Sequence, residues 1–195
     1  MMKTLNSTYW QERYDSQRTG WDIGYASPPV IEYVEQLSDK NLKILIPGAG
    51  NAYEASYLVT KGFLNIHILD FAEAPIASFK KKFPGFPDSQ IHCENFFEHR
   101  QTYDLILEQT FFCALSPGLR QNYAAHISKL LNTGGKLCGL LFDFELTPEG
   151  TPFGGSYEEY KSIFSPFFNI KTLERCYNSI KPRMGKELFF IFEKK

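Results

Sequence analysis

A chain of 195 residues fits a single core, since cores divide into further domains only beyond about that size. Its 21 basic and 22 acidic residues leave a net charge of -1, which excludes a partner held by bulk charge, nucleic acid above all. No stretch approaches the roughly 18 apolar residues of a membrane span, and the run Met1–Ser7 turns polar before a leader could form. The expectation is therefore a cytoplasmic, membrane-free monomer.

Cys93, Cys113, Cys138 and Cys176 lie far apart with no Cys-x-x-Cys pair, so neither a disulfide framework nor a zinc knuckle is indicated. His67, His92, His99 and His126 are scattered and read as structural or surface groups, with no metal site expected. The 18 Phe and 11 Tyr exceed the ordinary share and fit either an aromatic-walled pocket or a core that uses Phe in place of Leu.

In chain order, residues 7–18 read as a helical stretch carrying Trp10 and Tyr14. Gly20-Trp21-Asp22 follows as a loop, and Ser27-Pro28-Pro29 opens a second helix ending near Leu37. This segment, 1–40, is expected to fold as a lid over a ligand crevice, the alternative being a helix that merely covers the sheet. From 41 to 195 short apolar runs alternate with longer periodic ones, the signature of strands joined by crossover helices. Strands are expected at Lys43–Ile46, Ile66–Leu69, Gln90–Cys93, Asp104–Glu108 and Lys136–Phe142. Helices are expected at Ala52–Lys61 closed by Gly62, at Glu73–Lys82, from Ser116-Pro117 to about Leu131, and from the capping box Ser156-Tyr157-Glu158-Glu159. Asn169–Arg175 and Glu187–Glu193 are joined by too few residues for a crossover helix, so they pair antiparallel. The fold class is α/β: one Rossmann-like, doubly wound domain over 1–195, mostly parallel with a terminal antiparallel pair and an N-terminal helical lid.

In such a sheet the ligand sits beyond the carboxyl ends of the strands, where their order reverses. Gly48 and Gly50 fall there, after the first strand and before a helix, and Asp70 ends the next strand. That pattern points to a ribose-bearing ligand, with Asp70 accepting from the ribose hydroxyls. A dinucleotide would rest its pyrophosphate on the N-terminus of the following helix. Here that helix opens Ala52-Tyr53-Glu54, whose carboxylate repels phosphate and attracts an ammonium group. S-adenosylmethionine, phosphate-free and cationic, fits better than a nicotinamide cofactor. Asn95 and Phe96 are expected to meet its adenine, and Glu108-Gln109-Thr110 to face its methyl-donor end.

These residues resemble one branch of the class I methyltransferases, the thiopurine S-methyltransferase family with its plant thiol and halide methyltransferase relatives. The likeness is carried by Tyr9-Trp10, Trp21-Asp22-Ile23-Gly24, Leu45-Ile46-Pro47-Gly48-Ala49-Gly50, Leu69-Asp70, Glu94-Asn95-Phe96-Phe97, Tyr103-Asp104-Leu105-Ile106, Phe111-Phe112-Cys113-Ala114-Leu115 with Pro117 and Arg120, and Gly154-Gly155. It implies that Trp10, Tyr14 and Trp21 close over the cofactor and that Gly48, Asp70, Asn95 and Phe96 contact it. Ala49 stands where the family more often has Cys, Asn95 where it has Asp, and Gln109 where it has Tyr or Arg.

Methyl transfer from a sulfonium disperses charge, so positioning in a dry pocket supplies most of the rate without a metal or a covalent nucleophile. A thiol acceptor suits a site without an obvious base. Gln109 and Arg183 are expected at the reacting end, with Phe112, Phe153 and Arg183 against the small-molecule acceptor. Three alternatives stand beside this reading: an O- or N-acceptor, a non-catalytic cofactor-binding module, and a nicotinamide-dependent reductase.

Overall fold

A computed structural model describes residues 5–146 and 150–195; residues 1–4 of the expected lid lie outside it. Its elements are α1 (Ser7–Asp15), α2 (Pro28–Glu35), β1 (Ile44–Pro47), α3 (Tyr53–Thr60), β2 (Ile66–Asp70), α4 (Glu73–Lys82), β3 (Ile91–Cys93), β4 (Tyr103–Glu108), α5 (Arg120–Leu130), β5 (Leu131–Phe142), α6 (Tyr157–Phe164), β6 (Phe168–Arg175) and β7 (Glu187–Lys194). Seven strands form one sheet in the order β3-β2-β1-β4-β5-β7-β6. The first five are parallel, and β7 runs antiparallel to both β5 and β6. The order reverses between β1 and β4, so their carboxyl ends frame the crevice. Among the described residues no helix is long and apolar enough to cross a membrane.

The period of two along the strands sorts side chains onto the two faces. Ile44 and Ile46 of β1 and Leu105 and Leu107 of β4 pack with α2, α3 and α4, while Leu45 and Ile106 turn to the other face under α5 and α6. That second face takes up Phe96, Phe112, Phe164, Phe168, Phe190 and Phe192 together with Tyr103, Tyr123 and Tyr160. The surplus of aromatics thus goes mainly into core, and among the described residues the aromatic lining of the crevice is Trp21, Tyr25 and Tyr53.

The helix start expected at Ser156 is found with a different partner for Glu159, and two other boundaries differ for local reasons. Ser156 Oγ accepts from Glu159 N, but the Glu159 carboxylate does not turn back to complete the box; it accepts from Arg120 Nη1 at 2.7 Å. Pro117–Leu119 forms a 3-10 turn before α5 proper. Thr133-Gly134-Gly135 does not separate helix from strand: β5 begins at Leu131, and the glycines fall where its register against β4 jumps from Tyr103↔Leu131 to Leu105↔Lys136.

The N-terminal segment divides in two. Val30, Tyr33 and Val34 of α2 are buried in the core, so α2 covers the sheet. The α1 helix has no buried residue, and it reaches α4 through Gln11 Oε1, which accepts from Glu73 N and Ala74 N. One side chain therefore satisfies two of the free N–H groups that every helix start leaves.

Candidate functional site

The chain leaves β1 through a run of left-handed residues, Gly48 at φ +59°, Gly50 at +52° and Ala52 at +51°. Glycine is needed at the first two for φ and for space. A Cβ on Gly48 would lie 2.4 Å from Phe111 Cδ2, and one on Gly50 would lie 2.8 Å from the Tyr14 hydroxyl. The sequence pattern explains these glycines by the approach of a ligand; the fold adds that two of the protein's own rings press on the same backbone.

Asp70 fixes this turn. Its Oδ2 accepts from Gly50 N at 3.0 Å and its Oδ1 from Ala72 N at 3.0 Å. Each oxygen keeps a further lone pair for a ligand hydroxyl. Burial pushes its pKa up, against the pull of the backbone amides. Glu54, in the first turn of α3, is likewise buried and pushed up by desolvation, with Oε1 accepting from Ser27 N at 2.9 Å. Its position also suits the positive end of the helix dipole.

The loop after α1 roofs the crevice. Asp22 Oδ2 accepts from Asn51 Nδ2 at 2.5 Å and from the Tyr53 hydroxyl at 3.3 Å, tying the loop to the start of α3. Trp10 and Tyr14 meet the Trp21 ring edge-on, at centroid distances of 5.3 and 5.7 Å. The Arg13 guanidinium lies 5.5 Å from the Trp21 centroid, so this ring already holds a cation. Tyr14 is pushed up in pKa by burial and then by Asp70.

Opposite stands the loop leaving β4. Gln109 lines the crevice, and its buried Oε1 has no hydrogen-bond partner among the described residues. A buried acceptor without a partner costs free energy until a donor reaches it. Glu108, singled out in the sequence only as a neighbour of Gln109, anchors this loop. Its Oε1 accepts from Phe111 N and Phe112 N, both at 2.8 Å, and its Oε2 meets the Tyr123 hydroxyl at 2.5 Å. Burial raises its pKa to about 7. No spacing rule in the sequence reveals this, because Tyr123 belongs to α5.

Trp21, Asp22, Gly48, Gly50, Glu54 and Gln109 are thus brought together around one crevice, with Tyr14 and Asp70 against its glycine loop. Other expected contacts are placed elsewhere. Asn95 Oδ1 caps the turn Phe96–Glu98 by accepting from Phe97 N, and the Phe96 ring is enclosed by Phe111, Tyr123 and His126. Phe112 is only 1% exposed, with the Arg120 guanidinium 5.0 Å from its centroid, so it belongs to the core and not to the crevice wall. Phe153 is also buried, its N–H donating to Cys113 O. Arg183 is not a free loop charge: Nη2 donates to Trp21 O at 2.8 Å, and Nη1 lies 3.6 Å from Glu187 Oε1. Cys113, whose thiol donates to Thr110 O, is pushed far up in pKa by burial.

The histidines correct the sequence reading. Far from scattered, His67, His92 and His99 form a row, with His67 Nδ1 2.9 Å from His92 Nε2 and the His92 and His99 rings 4.7 Å apart. His67 and His92 sit on paired neighbouring strands, which single-sequence spacing cannot show.

The donor set tests the expected cofactor. Asp22, Glu54, Asp70 and the unpartnered Gln109 oxygen offer acceptors and negative charge, which suit ribose hydroxyls, an ammonium group and a sulfonium, and oppose phosphate. Comparison with known proteins gives the same class. The family model for Thiopurine S-methyltransferase (TPMT) matches residues 5–194. The chain is 31% identical over 195 residues to the probable thiol methyltransferase 2 of Arabidopsis thaliana, covering 96% of this chain and 85% of that one. It is 23% identical to the thiopurine S-methyltransferase of Acinetobacter baylyi, covering 87% and 88%. In fold it is similar to the 1,6-didemethyltoxoflavin-N1-methyltransferase of Burkholderia thailandensis, solved with S-adenosylhomocysteine, at a TM-score of 0.78 and 16% identity over 98% of this chain and 88% of that one. The chain therefore belongs to the thiopurine S-methyltransferase family and is an S-adenosylmethionine-dependent methyltransferase.

Proposed function

We propose that the protein transfers the methyl group of S-adenosylmethionine to a small thiol or other soft sulfur nucleophile, in the crevice between the ends of β1 and β4. The observation that carries this reading is the set of acceptors at the switch point: among the described residues Gln109 Oε1 has no partner, the buried carboxylate of Glu54 lines the same crevice, and that of Asp70 holds its glycine loop. When bound, the cofactor supplies an electrophilic methyl on a sulfonium. Asp70 holds the ribose, Gln109 and Glu54 take the ammonium end, and Trp10, Tyr14 and Trp21 close the aromatic side. A thiol fits because part of it is ionised near neutral pH without a dedicated base. The names of the thiol and thiopurine methyltransferases that the chain resembles point the same way.

Residues Trp21 to Tyr25 act as the lid of this site. With that roof in place the crevice encloses about 60 Å³, against roughly 300 Å³ for the smallest ordinary ligand sites. An outward swing of this roof would widen the space for an adenosyl compound. Arg183 latches it through the Trp21 carbonyl, and in this reading its guanidinium serves the acceptor end. The working unit in this reading is a cytoplasmic monomer, and the four free cysteines fit a reducing compartment.

An acceptor panel with radiolabelled methyl donor tests the proposal. Small thiols or thiocyanate should be methylated faster than phenols or amines. Transfer to phenols or amines alone would reassign the acceptor, and silence across the panel with tight S-adenosylhomocysteine binding would leave a non-catalytic binding module.

A further inference from the structure

Outside the crevice, three side chains that the methyl-transfer chemistry does not use converge at the end of β3. His92 lies in that strand, Glu94 directly follows it, and His99 comes after the turn Phe96–Glu98. One ligand atom from each lies within 4.8 Å of the other two. Glu94 Oε1 is 2.5 Å from His99 Nδ1, and the side chain is 42% exposed, so the cluster is reachable from solvent. We infer that His92, Glu94 and His99 form a binding site for a divalent transition metal of the zinc class.

The chemistry of the donors selects that class. Two imidazoles and one carboxylate suit zinc and its borderline neighbours, whereas magnesium and calcium prefer all-oxygen sets. The second shell is already present. A metal-bound histidine normally fixes its other ring nitrogen by a hydrogen bond, which sets tautomer and orientation. His92 Nε2 meets His67 Nδ1 at 2.9 Å, and His67 Nε2 in turn meets Asn65 Oδ1 at 3.2 Å. His99 Nε2 meets the Tyr103 hydroxyl at 2.6 Å. The remaining nitrogen, Nδ1, is on this account the metal-facing one in both rings. A tetrahedral ion with bonds of about 2.0 Å spaces its donors by about 3.3 Å. Closure therefore requires the Glu94–His99 pair to open slightly, which the partly exposed Glu94 allows, and His92 to approach. Cys93 points to the opposite face of β3, towards Glu73 and Asp70, and is not a ligand. The fourth position is open to water.

The test does not depend on the methyl-transfer reading. Zinc ions alone are titrated calorimetrically into tag-free protein dialysed against chelator, with histidine resonances followed by NMR. One ion per chain is expected with a Kd below about 10 μM, shifting the signals of His92 and His99 and not that of His126. Glu94→Gln, an exposed change, and His92→Gln should each weaken binding at least tenfold, while His126→Gln leaves it unchanged. Absence of binding at 100 μM zinc would overturn the inference. So would binding that survives both Glu94→Gln and His92→Gln, since the ion would then lie elsewhere.

Discussion

The ends of β1 and β4 face each other across the crevice, yet they are built in opposite ways. At the end of β1 the shape lies in the backbone, three residues at positive φ with Asp70 accepting from Gly50 and Ala72. At the end of β4 the shape lies in a buried side-chain network in which Glu108 receives two backbone amides and the Tyr123 hydroxyl. A backbone-built site announces itself in sequence, because only a few residue types tolerate its dihedrals. A side-chain-built site does not, because its partners come from distant elements.

The largest effect should come from the backbone-built side. Asp70→Ala removes the acceptor of two buried amides, each worth about 1–3 kcal/mol when left unpaired, and removes the ribose contact as well. Affinity for S-adenosylhomocysteine, measured by calorimetry, should fall at least 100-fold, about 2.7 kcal/mol, with a parallel loss of stability to urea. A loss below tenfold would mean that this end of the crevice does not hold the ribose.

Next in size is a pH effect on the side-chain-built end. Burial raises Glu108 from an ordinary value of 4.5 to about 7 in the folded protein. A raised folded-state pKa means that the stabilising contribution is fully present below the unfolded value and is lost as pH rises through the folded one. Between about pH 4.5 and 7 the native state should therefore lose about 3 kcal/mol on this account. Glu54, Asp70 and Glu187 are also pushed up by burial and add slope of the same sign. The informative quantity is thus the difference from Glu108→Gln, whose amide oxygen can serve Phe111 and Phe112 while its NH₂ reaches Tyr123. Urea unfolding at pH 5 and pH 7.5 should show a smaller loss in the variant; equal slopes would show that Glu108 titrates normally.

The same contrast explains what could be read in advance. The alternation of strands and helices, the terminal antiparallel pair and the glycine loop with Asp70 follow from periodicity and dihedral demands, all local. The division of the N-terminal segment was not legible, because α1 and α2 are both short helices with aromatic residues, and only packing decides that Val30 and Val34 reach the core. The histidine row was hidden because His67 and His92 meet only through the β2–β3 register. Arg183 was legible as a residue near the site but not in its role, since its partner, the Trp21 carbonyl, lies 162 positions away.

That latch gives a smaller prediction. Arg183→Gln loses the charge-assisted bond to Trp21 O and the ion pair with Glu187. If the roof closes on the cofactor, its KM should rise about tenfold, or about 1.4 kcal/mol, with kcat reduced less. A change confined to the acceptor KM would place Arg183 against the acceptor alone and leave the roof without this fastening.

The smallest effect on activity is expected at Phe112, and it is the sharpest separator of core from site. The run Phe111-Phe112-Cys113-Ala114 carries part of the family resemblance, and Phe112 is expected from the sequence against the acceptor. That ring, however, packs edge-on against Tyr123 and Tyr160 and beneath Arg120. Phe111 instead presses on the Gly48 backbone, so adjacent aromatics in one motif serve different masters. Phe112→Leu, a large-to-small change that loses the edge-on ring contacts, should cost about 1–2 kcal/mol of stability and leave the acceptor KM within twofold. A rise beyond fivefold with unchanged stability would show that the ring swings into the crevice during turnover, and the core at the end of β4 would then be part of the acceptor site.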